Sequence, residues 1–186
     1  MDVTHPQPHV VILPFASQGH IKPMLMLAQL LSNANFYVTF VNTHHNHNLI
    51  LKMIINNTSF RSRFPRLRFE VIPDGLSPEH PRSGPQRVDL YFSIGLASKA
   101  KLKDILMGVS LTQEWSPPKC LIADGIMSFA IDVAEELHIP VITFRSYNAS
   151  CTWINFHIEN LIQQGEIPFH GAPKIFLTLK FFLKWF

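Results

Sequence analysis

Short apolar runs alternate along this chain with longer stretches in which apolar residues recur every three or four positions. Val10, Val11, Ile12 and Leu13 form an uninterrupted β-branched and aliphatic run after a polar N-terminus, the pattern of a strand buried on both faces. Met24, Leu27, Leu30 and Leu31 follow at helical spacing. Pro23 suits a first helical turn, so the pattern predicts a helix starting near His20 to Lys22. Phe36 to Val41, Leu67 to Ile72, Cys120 to Ala123 and Val141 to Phe144 read as four further strands. Helical spacing recurs over Leu49 to Ile55, Val88 to Val109, Phe129 to Leu137 and Cys151 to Gln163. Pro73, Asp74 and Gly75 stop the third strand in a loop carrying Pro78, Pro81 and Pro85. A proline-bearing loop of that length at a strand's carboxyl end reads as the wall of a site.

Strands that alternate with helices predict the α/β class: a Rossmann-like, doubly wound parallel sheet. Such a sheet brings its strand ends to one rim. His20, Asp124 and Ser146 follow strands one, four and five, so residues distant in sequence can meet there.

Composition narrows the classes. With 186 residues, 47% hydrophobic and 16% charged, the chain is a globular protein with a real core. The formal charge of +3 is modest and the basic residues are scattered. The densest basic stretch, Arg61 to Arg68, reads as a solvated loop before a strand, and no nucleic-acid partner is expected. His44, His45 and His47 lack a cysteine or carboxylate at metal-ligand spacing and read as a polar turn. Cys120 and Cys151 make no disulfide framework, and Cys120 reads as a small core residue. The first nine residues lack the pattern of a secretory signal and no run is long enough to span a membrane, so a cytoplasmic location is expected.

Three familiar loop motifs are missing. Ala16-Ser17-Gln18-Gly19-His20 holds one glycine where a dinucleotide loop needs three, and neither a phosphate-binding G-x-x-x-x-G-K-[ST] nor a hydrolase G-x-S-x-G occurs. What remains at the rim is a histidine and an aspartate. An imidazole can take a hydroxyl proton as the oxygen attacks, while a carboxylate on its other nitrogen fixes the tautomer. The plainer alternative for each is a helix cap or a buried hydrogen-bond partner.

The segments HVVILPFASQGHIKPMLMLAQLL, VTFVNTHHNHNLI, FEVIPDGL and CLIADGIMSFAIDVAEELHIPVITF together resemble the N-terminal half of plant family 1 UDP-glycosyltransferases, across roughly residues 7 to 170. The resemblance implies a GT-B architecture of two Rossmann-like domains, of which this chain supplies the N-terminal, acceptor-binding one. It implies transfer of a sugar, with inversion, from a UDP-sugar co-substrate to a hydroxyl of a small lipophilic plant metabolite, with no metal and no other cofactor. On that likeness His20 is the base and Asp124 its partner acid. Backbone amides at Gly19 and the helix start would favour the donor diphosphate, since helix N-termini suit anions; Ser146 matches a family position that touches the sugar, an N-cap to the next helix being the alternative. The wording of IPDGL, EHPRSG, IADGIMSFAIDVA and GEIPFHG is closest to glucosyltransferases of iridoid and terpenoid acceptors. Arg145 stands where many of these proteins carry an aromatic residue, and is read as an acceptor-binding residue for an acidic substrate; a structural bridge to Asp132 or another acid is the alternative.

The chain departs from that family after about Gly171. The donor-binding box with its His-Cys-Gly-Trp-Asn-Ser core is not found, and residues 171–186, ending in APKIFLTLKFFLKWF, match no family segment. The expected organisation is therefore an acceptor-binding domain over residues 1–170 and an atypical apolar tail over 171–186, in a truncated and inactive form of the enzyme. Such a chain would hold a small-molecule acceptor, and a UDP-sugar only together with a C-terminal domain. The alternative is a non-catalytic binding or interaction module.

Overall fold

The computed structural model describes residues 7–50, 58–108 and 115–167. It divides into two compact units, Met1–Ser146 and Tyr147–Phe186. The first unit carries five strands, β1 (His9–Leu13), β2 (Tyr37–Thr43), β3 (Leu67–Ile72), β4 (Cys120–Asp124) and β5 (Val141–Phe144). Their connections are α1 (Gln18–Asn33), α2 (His44–Ile50), α3 (Thr58–Arg63), α4 (Arg87–Leu106) and α5 (Ser128–Glu136). The second unit holds α6 (Ala149–Gln163).

All strand pairs are parallel, in the order β3-β2-β1-β4-β5. The chain winds outward from β1 through β2 to β3, then crosses back to lay β4 on the other side of β1. The join between β1 and β4 is therefore the topological switch point, where the connections diverge and leave a crevice at the carboxyl ends. Register across it is Val11 opposite Leu121 and Leu13 opposite Ala123.

A central strand needs apolar side chains on both faces, and β1 supplies them. Val11 and Leu13 join the layer that buries Leu90, Ile94 and Leu102 of α4 and Ala130 and Val133 of α5. Val10 and Ile12 join the opposite layer with Ile21, Met24, Leu25 and Ala28 of α1 and Val38 and Phe40 of β2. Val11, Ile12 and Leu13 are fully buried. Each such side chain contributes roughly 1.5–3 kcal/mol relative to an exposed position.

Local corrections follow from packing. Helix α1 starts at Gln18, before the expected His20 to Lys22, because Ser17 takes an extended conformation and its carbonyl accepts from the N–H groups of His20 and Ile21, each at 2.9 Å. Pro23 is thus the sixth residue of α1 and leaves the Gly19 carbonyl without its helical partner. The buried face of Ile21, Met24, Leu25 and Ala28 carries the helix past it. His44 to His47, expected as a polar turn, is helical from its first residue. The Leu49 to Ile55 helix lies mostly outside the described residues, and the 171–186 tail entirely so. Arg61 to Arg68 is not a solvated loop. Arg61 and Arg63 end α3, Phe64 is buried against Phe60 at a ring separation of 4.9 Å, and Arg68 sits within β3. Cys120 is half-buried rather than a full core residue. No described helix is long and apolar enough to cross a membrane.

Candidate active site

His20 is the third residue of α1, and Asp124 is the last residue of β4, fully buried. Adjacent strands across the switch point bring them together. His20 Nδ1 stands 2.7 Å from Asp124 Oδ2, although 104 positions separate the two in the chain. Asp124 is itself anchored: Oδ2 accepts from the Phe15 N–H at 3.4 Å and Oδ1 from the Ile126 N–H at 3.3 Å. A carboxylate only accepts, so the proton between the two side chains belongs to Nδ1. That leaves the Nε2 lone pair for another partner. The His20 side chain keeps 22% exposure, against none for Asp124, so the ring reaches solvent while its anchor does not.

Ser146 joins the same group from the loop after β5, with Oγ 3.0 Å from His20 Nδ1. It is not the cap of the following helix. That cap is Asn148, whose side chain accepts from the Cys151 N–H at 2.8 Å. Arg145 lies along Gly125, the residue after Asp124. A Cβ on Gly125 would meet Arg145 Cγ at 3.0 Å and Cζ at 3.2 Å, so the missing side chain is what lets the arginine lie there. Gly19 occupies the second position of α1, and beyond its chain neighbours and its own helix backbone nothing lies within 4 Å of the point a Cβ would reach. The sequence reading thus marked five residues that the fold gathers at the carboxyl ends of β1, β4 and β5.

It missed two features. Phe15 supplies the amide that holds Asp124, and its ring meets His20 edge-on at 5.5 Å. The only signal for it was its place two residues after a buried strand. The second feature is a cleft of about 470 Å³ beyond β2 and β3, of which the sequence marked only the loop wall (Asp74, Leu76 and Arg82) and not the side lined by His44 and His45. It shares the rim with the dyad, because Asn46 of α2 donates from Nδ2 to the Ala16 carbonyl in the loop before α1, at 2.9 Å. One wall is held by Arg82, which donates to both carboxylate oxygens of Asp74 and to the Leu76 carbonyl. Burial pushes the Asp74 carboxyl up, but the hydrogen bonds from Arg82 and Leu76 and the arginine's charge outweigh it, and the net direction is down. Among the described residues, no three His, Cys, Asp or Glu side chains gather as a metal site requires.

No protein-family model matches the chain. Curated proteins do. The chain is 40% identical over 161 residues to a myricetin 3-O-rhamnoside 1,2-glucosyltransferase of Crocosmia x crocosmiiflora, covering 87% of this chain and 33% of that protein. It is 42% identical over 166 residues to mogroside I-A1 synthase of Siraitia grosvenorii, covering 88% and 30%. With a 7-deoxyloganetic acid glucosyltransferase of Catharanthus roseus the identity is 37% over 172 residues, covering 90% and 35%. The chain therefore spans about a third of the length of these plant enzymes, and the match lies in their N-terminal part. Among solved structures, a UDP-glucose:anthocyanidin 3-O-glucosyltransferase in complex with UDP superposes with a TM-score of 0.68 at 25% identity, covering 87% of this chain and 34% of that one. Phytolacca americana UGT2, complexed with UDP-2fluoro-glucose and pterostilbene, gives 0.67 at 22%, covering 92% and 38%. In sequence and fold the chain resembles the N-terminal part of a plant GT-B UDP-glycosyltransferase.

Proposed function

We propose that this chain is the acceptor-binding part of a plant UDP-glycosyltransferase, and that its rim holds the base for sugar transfer to a hydroxyl of a small lipophilic metabolite. The observation that carries the reading is the 2.7 Å contact between His20 Nδ1 and Asp124 Oδ2 at the switch point of a parallel sheet. With Nδ1–H committed to a buried carboxylate, Nε2 is the basic atom. It takes the proton of an acceptor hydroxyl as that oxygen bonds to the anomeric carbon. The anomeric bond to the diphosphate breaks with its electron pair on UDP, and attack from the opposite face inverts the centre. Asp124 stabilises the imidazolium that forms, without taking the proton. No step in this scheme calls for a metal.

The remaining residues take supporting roles. Gly19 stands in the first turn of α1, where backbone N–H groups and the helix dipole favour the anionic donor. Ser146 reaches toward the sugar, and Arg145 pairs with a carboxylate on an acidic acceptor. The cleft beside Asp74 and Arg82 accommodates the body of the acceptor. Donor capture belongs to a second, donor-binding domain, and the whole reaction to the two domains together. The organisation proposed is an acceptor domain to about residue 170 in a cytoplasmic protein.

The test joins this chain to the donor-binding domain of a relative and measures glucose transfer from UDP-glucose to small hydroxyl acceptors. Transfer is expected, and His20→Ala should lower kcat/KM by roughly 10²–10⁴. Transfer that is unchanged in His20→Ala would overturn the reading.

A further inference from the structure

We infer that Ser146 is a positioning residue for His20, holding the imidazole in the orientation that presents Nε2 as the base. The inference rests on the proposed transferase reading, and it gives Ser146 a task beyond any contact with a sugar.

The geometry at Nδ1 leaves one consistent arrangement. Two oxygens face this nitrogen, Asp124 Oδ2 at 2.7 Å and Ser146 Oγ at 3.0 Å. If Nδ1 were bare, the serine hydroxyl could donate to it, but the carboxylate would then press its lone pairs on the nitrogen's own at 2.7 Å. With a proton on Nδ1, both oxygens accept from it: the carboxylate takes the larger share and Ser146 the smaller, in a three-centre hydrogen bond. The serine's own hydrogen then points away from the ring and remains available as a donor. One hydroxyl thus serves two directions, with its oxygen on the histidine and its hydrogen free for a substrate oxygen.

The placement gives the contact its effect. Asp124 ends β4 and Ser146 follows β5, so two neighbouring strands grip one nitrogen from different sides. Phe15, following β1, closes a third side with its ring edge-on to the imidazole at 5.5 Å. A single carboxylate contact leaves a ring free to swing about it, whereas contacts from three strand ends do not. When Nε2 takes up a proton, the positive charge spreads to Nδ1–H, and both oxygens already accept there.

The test uses the full chain with ¹⁵N-labelled histidine and needs no donor sugar. In the wild type, His20 should show the Nδ1–H tautomer with a proton protected from exchange. Ser146→Ala should speed exchange of that proton about tenfold, the effect of one neutral hydrogen bond, while Asp124 keeps the tautomer as it is. Ser146→Thr keeps the hydroxyl and should restore slow exchange. If Ser146→Ala leaves exchange as in the wild type, the serine does not position the ring and the inference fails. A fusion that transfers no sugar, with these histidine signals intact, would instead count against the transferase reading alone.

Discussion

Arg82 grips Asp74 with two prongs, Nε to Oδ2 at 2.7 Å and Nη2 to Oδ1 at 3.1 Å, and each side chain is only 8% exposed. The arginine reaches this position from a left-handed backbone, φ +52°, which costs a non-glycine residue about 1 kcal/mol. Its Nη1 also donates to the His80 carbonyl at 2.6 Å, so one guanidinium ties together the loop between β3 and α4. The loop has no strand or helix to define most of its path, and this pair supplies the definition.

Arg82→Ala should therefore destabilise the chain by about 3 kcal/mol, because it leaves Asp74 buried without its counter-charge. The double variant Asp74→Ala/Arg82→Ala should lose less than the sum of the two single changes. Urea unfolding measures both, and additive losses would mean that the two side chains do not act as a pair.

Acid should weaken the fold through His9 well before the carboxylates titrate. His9 is fully buried; its Nδ1–H donates to the Ser116 carbonyl at 2.7 Å and its Nε2 accepts from the Thr39 hydroxyl at 2.8 Å. Thr39 Oγ1 in turn accepts from Arg68 Nε at 2.8 Å. That chain of bonds requires a neutral imidazole. Burial lowers the His9 pKa from 6.5 to about 4, opposed by the Ser116 carbonyl and assisted by the Arg68 charge. The unfolded chain thus takes up a proton between pH 6.5 and about 4 that the folded chain refuses. Stability is fully present above that window and falls as pH drops through it, by up to ~3 kcal/mol. His47, also lowered by burial, acts in the same direction. His9→Gln should flatten much of the slope of unfolding free energy against pH.

Gly125→Ala should displace the Arg145 side chain, since the new methyl would lie 3.0 Å from Cγ and 3.3 Å from Nε. Cγ is the nearest atom, so the arginine must rotate from its first side-chain bond onward, at a cost of about 1 kcal/mol. Gly125→Ala and Arg145→Met should each weaken binding of a carboxylate-bearing acceptor about tenfold and spare a neutral analogue. Equal use of acidic and neutral acceptors by both variants would remove Arg145 from acceptor recognition.

Asn148→Ala should cost ~1 kcal/mol of local stability in α6, because the Cys151 N–H loses its acceptor. Amide exchange in the first turn of α6 reads the effect directly, and Asn148→Asp should keep the cap.

Much of the fold was legible because its signals are local. A run such as Val10 to Leu13 has few alternatives to a buried strand, and β3 and β5 fall on the residues their β-branched and aromatic content marked. Helix starts were less legible. Ser17 opens α1 through its backbone conformation and carbonyl, without a side-chain cap, so no residue type announced it.

The amino-acid order by itself determined the class: short apolar strands alternating with amphipathic helices leave a parallel sheet as the way to bury both faces of each strand. It also placed His20, Asp124 and Ser146 at strand ends, hence on one rim. Which of them touch, and through which atoms, only the tertiary structure decided. The 2.7 Å and 3.0 Å contacts at one imidazole nitrogen depend on the order in which β1, β4 and β5 lie side by side. The pairing of Arg82 with Asp74 and the bed that Gly125 makes for Arg145 belong to the same category. Spacing along a chain carries the period of a helix or strand, but contact between elements is set by how whole faces pack, and no short stretch of sequence contains that.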